Sequence, residues 1–253
     1  MNKFLLIVII SLTGYIVYGL SAPASSPVQD TGFSKQQGDL ILEELKSIRA
    51  LLEKNQIQAR QQQAPAAPQM VKVSTADGVA DGREDAPLVL IEFTDYQCPY
   101  CKRFYDTTFA ALKEKYIDTG KLRFISRNLP LPFHSHAEGA ALAAACAGDQ
   151  DKYWQMRQSI FSNPHSLQAE DLSAYAKTHA LNVEQFDTCM SEKTHLKKIQ
   201  KDVADARAIG ITGTPSFVLA RNSGDIVEGE KIIGAQPLAA FEKHIEVLLK
   251  QTK

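Results

Sequence analysis

Cys98 and Cys101, with Pro99 and Tyr100 between them, are the residues best suited to chemistry in this 253-residue chain. The motif follows Leu88-Val89-Leu90-Ile91-Glu92-Phe93, a short apolar run with β-branched residues that predicts a buried strand. It precedes Lys102 to Asp118, which predicts a helix. Cys98 therefore falls at a helix N-terminus, where free N–H groups and the positive dipole end ionise a thiol more readily than a free cysteine of pKa about 8.5. Pro99 suits the first helical turn, where its missing N–H costs little, and the spacing lets Cys101 reach back toward Cys98. The pattern predicts Cys98 as attacking thiol and Cys101 as resolving thiol, cycling between dithiol and disulfide through a mixed disulfide. Half of a zinc site and a purely structural disulfide are the competing readings. Zinc usually wants four ligands, and the remaining cysteines, Cys146 and Cys189, form no second C-x-x-C, so no metal site is expected.

Glu92 lies on the apolar strand, where a carboxylate is expensive to bury. If buried, its pKa rises and it can exchange the proton of Cys101; the bland reading is an edge residue whose carboxylate reaches water. Cys146 sits in the apolar stretch Ala140–Cys146, and Cys189 ends another helical stretch, Phe186–Cys189. In an oxidising compartment two such cysteines most often pair, which makes a structural disulfide the favoured reading over two free buried thiols or a second redox site. His134 and His136 precede a predicted helix and read as capping or packing residues rather than metal ligands. Trp154, Tyr153 and Phe161 read as core. Nothing suggests a nucleotide, flavin or haem, and no cofactor beyond the cysteine pair is expected.

These residues need elements to position them. Lysines and arginines number 28 against 29 acidic residues, and no basic cluster alternates with aromatics, which argues against nucleic-acid partners. Lys3, the apolar run Phe4 to Tyr18 and small residues through Ser26 predict a secretory signal over 1–24, with Ala22-Pro23-Ala24 offering cleavage before Ser25; retention as an N-terminal anchor is the alternative. Residues 33–63 form a predicted helical segment in which Ile41, Leu45, Ile48 and Leu52 make the a/d seam of a short coiled coil, widened by Leu40, Leu42 and Leu51. Pairing with a second copy is favoured over folding back on the same chain or lying on a membrane. Residues 64–69 read as a linker. From 70 to 253 the order is β-α-β, a helical insertion over about 134–208, then β-β-α, with strands at Lys121–Asn128, Ser216–Ala220 and near Lys231–Gly234, and a last helix from Pro237 to Lys250.

Phe93-Thr94-Asp95-Tyr96-Gln97-Cys98-Pro99-Tyr100-Cys101, the inserted helical block and Gly213-Thr214-Pro215-Ser216-Phe217 together resemble the DsbA/DsbG-like branch of the thioredoxin superfamily, over roughly Leu88 to Lys250. The resemblance implies an α/β thioredoxin fold with a helical insertion, here preceded by an N-terminal dimerisation helix. It implies that Pro215 is a cis-proline beside the redox pair, that Thr214 offers backbone hydrogen bonds to an extended substrate next to Pro99 and Tyr100, and that Glu92 matches the acidic residue of the family. It further implies an exported, periplasmic thiol-disulfide oxidoreductase that acts on unfolded or misoxidised exported proteins and is regenerated by a membrane redox partner. Tyr100 and Thr214 resemble isomerase-like members, whereas the short helical N-terminal segment departs from their larger dimerisation domain, so a homodimer with both oxidising and isomerising activity is expected. Tyr100 lacks the positive charge that a histidine there could supply, which predicts a less oxidising pair than the strongest oxidants of the family. The alternative is a non-catalytic client-binding chaperone or adhesin-like protein on a thioredoxin scaffold.

Overall fold

A computed structural model describes residues 34–62 and 69–251. The expected signal or anchor at 1–24, and the expected linker apart from Gln69, lie outside the described residues. The chain divides into two compact units between Ala66 and Ala67, each taken by itself.

In the first unit, α1 (Lys35–Gln62) opens on a reciprocal cap: the Gln37 N–H donates to Ser34 Oγ, and the Ser34 N–H donates to Gln37 Oε1 at 3.0 Å. Ile41, Leu45, Ile48 and Leu52 are exposed, as are the flanking Leu40, Leu42 and Leu51. No helix of the described residues is long and apolar enough to cross a membrane.

The second unit is built on a six-stranded sheet of order β1-β6-β5-β3-β4-β2, formed by β1 (Met70–Ser74), β2 (Val79–Asp81), β3 (Leu88–Thr94), β4 (Leu122–Asn128), β5 (Ser216–Arg221) and β6 (Ile226–Ile233). Only β3 and β4 run parallel; the other neighbours are antiparallel. β3 is buried at every position, which is why it reads as a continuous apolar run. Leu88 and Leu90 pack with Phe104, Phe217, Phe241 and Ile245 on one face, under α2 (Pro99–Phe104) and α9 (Leu238–Lys250). Val89, Ile91 and Phe93 pack on the other face with Ala206 of α8 (Leu196–Ala208).

α2 continues through a π turn at Tyr105–Phe109, α3 (Ala110–Leu112) and a second π turn at Lys113–Ile117. The wide first turn lets Tyr105 and Phe109 stack on Phe161 and Trp154, while Phe104 stays on Phe217 and Phe241. Between β4 and β5 lie α4 (Ala137–Gly148), α5 (Tyr153–Ser162), α6 (Ala169–Thr178), α7 (Val183–Glu192) and α8. The alanines of α4 form the centre of the insertion's own core. A disulfide joins Cys146 of α4 to Cys189 of α7 across 43 residues of sequence.

Three features depart from the sequence expectation. β1 and β2 are additional edge strands, short and only partly buried, so they lack the apolar run that marks β3. β6 starts five residues before Lys231. Its inward positions include Gly229, where a Cβ would meet the Leu219 carbonyl oxygen at 2.5 Å, and a glycine there breaks the apolar alternation that announces a strand.

Candidate active site

β3 ends at Thr94, and the turn that follows is organised by the buried carboxylate of Asp95. Its Oδ1 accepts from the Gln97 N–H at 2.7 Å; its Oδ2 accepts from the Leu131 N–H at 2.7 Å and lies 2.8 Å from His134 Nδ1. Gln97 in turn accepts from the His136 N–H through Oε1 at 2.8 Å. His134 and His136 thus fasten the loop after β4 to the cysteine turn; His136 is also the N-cap residue of α4, as the capping reading expects, though its side chain makes no cap bond. Cys98 is the N-cap of α2, with Pro99 in its first turn.

The two sulfurs have unequal surroundings. Cys98 is 4 % exposed and Cys101 is fully buried, both as free thiols. The Cys98 pKa is lowered to about 5, first by the hydrogen bond from Cys101 and then by Thr214 and the backbone N–H groups of Cys101 and Tyr100, against a desolvation cost. Cys101 is pushed well up by burial, by Cys98 and by the nearby charge of Glu92. The Asp95 N–H points at Cys101 Sγ at 3.5 Å.

Across from α2, the Thr214–Pro215 peptide is cis. Cys98 Sγ lies 3.4 Å from the Thr214 carbonyl oxygen, and the Pro215 carbonyl accepts from the Gly234 N–H at 2.8 Å. Thr214 Oγ1 is buried with no hydrogen-bond partner. Tyr100 stands out from the site, 56 % exposed, with the Arg103 guanidinium over its ring.

Glu92 is fully buried on the central strand, not at an edge. Its carboxylate accepts from Arg157 Nη2 at 2.7 Å. Burial raises the Glu92 pKa, and the Arg157 charge opposes that rise. Arg157 of α5 is itself buried among the rings of Tyr96, Phe109, Phe124, Trp154 and Phe161. Its Nη1 donates to Ser126 Oγ, which also accepts from the Tyr153 hydroxyl, and Tyr96 donates to Tyr153. Cys98, Cys101, Glu92, Thr214, Pro215, Pro99 and Tyr100 therefore belong to one neighbourhood, while Cys146 and Cys189 lie in the insertion's core. Sequence reasoning missed Asp95 and Arg157. Arg157 had a signal: it shares the buried face of α5 with Tyr153, Ile160 and Phe161 at steps of three and four.

This arrangement can carry thiol-disulfide exchange: an acidic thiol at the helix end, a fully buried partner thiol, and a carboxylate whose charge reaches the partner. The thioredoxin family model matches residues 74–246. Among solved structures, α-DsbA1 of Wolbachia pipientis superposes with a TM-score of 0.62 at 28 % identity, covering 71 % of this chain and 94 % of that one. BdbD of Bacillus subtilis, at 24 % identity, shares the fold with a TM-score of 0.61, over 73 % of this chain and all of that one. Among curated relatives, the Na(+)/H(+) antiporter NhaA of Herminiimonas arsenicoxydans is 32 % identical over 172 residues, which is 68 % of this chain and 26 % of the relative. NhaA 1 of Salinispora arenicola is 32 % identical over 149 residues, 58 % of this chain and 22 % of the relative. The chain thus spans about a quarter of the length of the curated relatives it matches. With a family match over most of its length and a fold shared with DsbA-like proteins, this chain belongs to the thioredoxin family.

Proposed function

We propose that this chain is an exported thiol-disulfide oxidoreductase that forms and isomerises disulfides in other exported proteins through a Cys98/Cys101 cycle. The observation that carries the reading is the split between the two thiols, one acidified at a helix N-terminus beside Thr214 and Pro215 and the other raised and buried beneath it. In the oxidising direction a client thiolate attacks Cys98 Sγ of the Cys98–Cys101 disulfide, and Cys101 leaves as a thiolate. Glu92 governs the proton that Cys101 takes up. A second client thiolate then attacks the client sulfur of the mixed disulfide and expels Cys98 as a stable thiolate, leaving the client oxidised and the cysteine pair reduced. Net oxidation needs a membrane redox partner to restore the pair. Isomerisation instead starts from the reduced form.

Exposed Tyr100, with Phe133 next to His134 and Ile233 opposite Ser216, offers unfolded clients apolar contacts around the sulfur. The exposed seam of α1 supports a homodimer, which would present two redox sites to one client and raise the effective concentration for rearrangement. The reading is tested by oxidation of a reduced dithiol peptide by the full chain. Stoichiometric oxidation that is lost in Cys98→Ser is expected; an inactive wild-type chain, or an active Cys98→Ser chain, overturns it.

A further inference from the structure

A second chemical cluster lies in the helical insertion, around the Cys146–Cys189 disulfide. Cys146 Sγ, Cys189 Sγ and a ring nitrogen of His195 all lie within 4.8 Å of one another. His195 Nε2 is 2.8 Å from Asp149 Oδ2, and that oxygen is 3.7 Å from Cys189 Sγ. The four side chains come from three elements: Cys146 from α4 and Asp149 from its C-terminal cap, Cys189 from α7, and His195 from the residue that opens α8. A cavity of about 350 Å³ lined by Asp149, His195, Trp154 and Lys198 reaches the cluster and offers an approach from solvent.

We propose that reduction of the Cys146–Cys189 disulfide opens a zinc site whose ligands are Cys146, Cys189, His195 and Asp149. Two thiolates, an imidazole and a carboxylate are a four-coordinate donor set suited to zinc. With Zn–S near 2.3 Å and Zn–N or Zn–O near 2.0 Å, a tetrahedron sets the sulfurs about 3.8 Å apart and the nitrogen and oxygen about 3.3 Å apart. The sulfurs must therefore part once their bond is cut, the His195–Asp149 contact must open by about half an ångström, and the Asp149 carboxylate, which is not among the three groups within 4.8 Å of one another, must swing toward Cys146. In the oxidised chain the sulfurs are bonded to each other and the site does not exist.

The electrons come from a small dithiol. Its thiolate attacks Sγ of Cys189, the more exposed of the two residues at 9 % against 1 % for Cys146, and expels the Cys146 thiolate. Its second thiolate then displaces Cys189, so the reductant ends as a cyclic disulfide and the protein gains two electrons. Zinc binds both sulfurs as thiolates, and the protons that they and the reductant carried pass to solvent. The ion then replaces the disulfide as the staple between α4 and α7, adds α8 to it, and withholds both thiols from reoxidation.

The test uses the full chain with Cys98→Ser and Cys101→Ser, so that the other cysteine pair cannot bind metal. After reduction with dithiothreitol and anaerobic removal of the reductant, zinc is titrated in competition with a chromogenic chelator and the melting temperature is followed. One zinc per reduced chain is expected, with a rise in melting temperature and no stoichiometric binding to the oxidised chain. Cobalt in place of zinc should show thiolate-to-metal charge-transfer absorption. His195→Ala and Asp149→Asn leave the disulfide intact and should each weaken binding at least about tenfold. Absence of stoichiometric zinc binding to the reduced chain overturns the proposal. Binding of equal strength in His195→Ala also overturns it, since it would mean capture by two thiols of a loosened chain.

Discussion

The acidity of Cys98 has a consequence for stability that can be worked out with its sign. Its pKa is about 5, against an ordinary 9.0. At pH 7 it is about 99 % thiolate where an ordinary thiol is about 1 %, and each tenfold in ionisation is worth about 1.36 kcal/mol. The folded, reduced protein therefore gains about 2.7 kcal/mol at neutral pH, which the oxidised protein lacks because it has no thiol there to titrate. The folded pKa lies below the unfolded one. The gain is thus complete above about pH 9, shrinks as the pH falls, and is gone below about pH 5. In redox terms it moves the pair about 60 mV toward the oxidising side at pH 7. Two measurements check this: the rate of iodoacetamide alkylation against pH, and urea unfolding of reduced and oxidised protein near pH 7 and near pH 4. Ordinary carboxylates titrate in both redox forms and cancel in the difference. Alkylation should turn on near pH 5, and the stability gap should change by about 2.7 kcal/mol in favour of the oxidised form on acidification. Alkylation that turns on only above about pH 8, with a pH-independent gap, would refute the reasoning.

Thr214→Val removes a buried hydroxyl that no other group bonds and that helps to lower the Cys98 pKa; that pKa should rise by about one pH unit, read by thiolate absorbance, with the oxidised fold as stable as before. Glu92→Gln leaves the Arg157 charge buried and unpaired, and should cost about 3 kcal/mol in urea unfolding, while Glu92→Leu with Arg157→Met should recover most of it. Replacing Cys146 and Cys189 by serine reopens a loop spanning 43 residues and should cost about 4 kcal/mol, measured the same way. Asp at Leu45 and Ile48 should give a monomer in sedimentation that still oxidises a reduced peptide but loses activity on scrambled ribonuclease; a monomeric wild type would end the dimer proposal.

Local chemistry was the legible part. The C-x-x-C spacing, the apolar run before it and the proline after Cys98 all act within one strand and one helical turn, so β3 and α2 could be read directly. Glu92 was visible as an anomaly because one carboxylate in an otherwise apolar run demands a reason. What supplies the reason was not visible. Arg157 is 65 residues downstream, and an arginine on a helix ordinarily reads as solvated; only its five surrounding rings show otherwise. His134 and Asp95 are separated by 39 residues, and β1 reaches the sheet only by pairing with β6 near the other end of the chain. Pairings of that range are set by the closed fold, and no local pattern encodes them.

In the proposed cycle the insertion is accordingly more than a cover for the sheet, because it supplies Arg157 to Glu92. β3 carries Leu88, Leu90 and Glu92 on the face that packs against α2, so the strand that anchors the cysteine turn also delivers a carboxylate toward Cys101. Desolvation there raises the pKa of the carboxyl. Arg157 reaches it from α5 and opposes that rise, and the Glu92 charge in turn helps to hold the Cys101 pKa up. Removing the Arg157 charge should therefore raise the Glu92 pKa further, weaken the push of its charge on Cys101 and narrow the separation between the two thiols without touching either sulfur. The difference between the two thiols is built from both sides: the hydrogen bond from Cys101, with Thr214 and the backbone N–H groups of the helix end, acidifies Cys98, while burial, Cys98 and the Glu92 charge push Cys101 up.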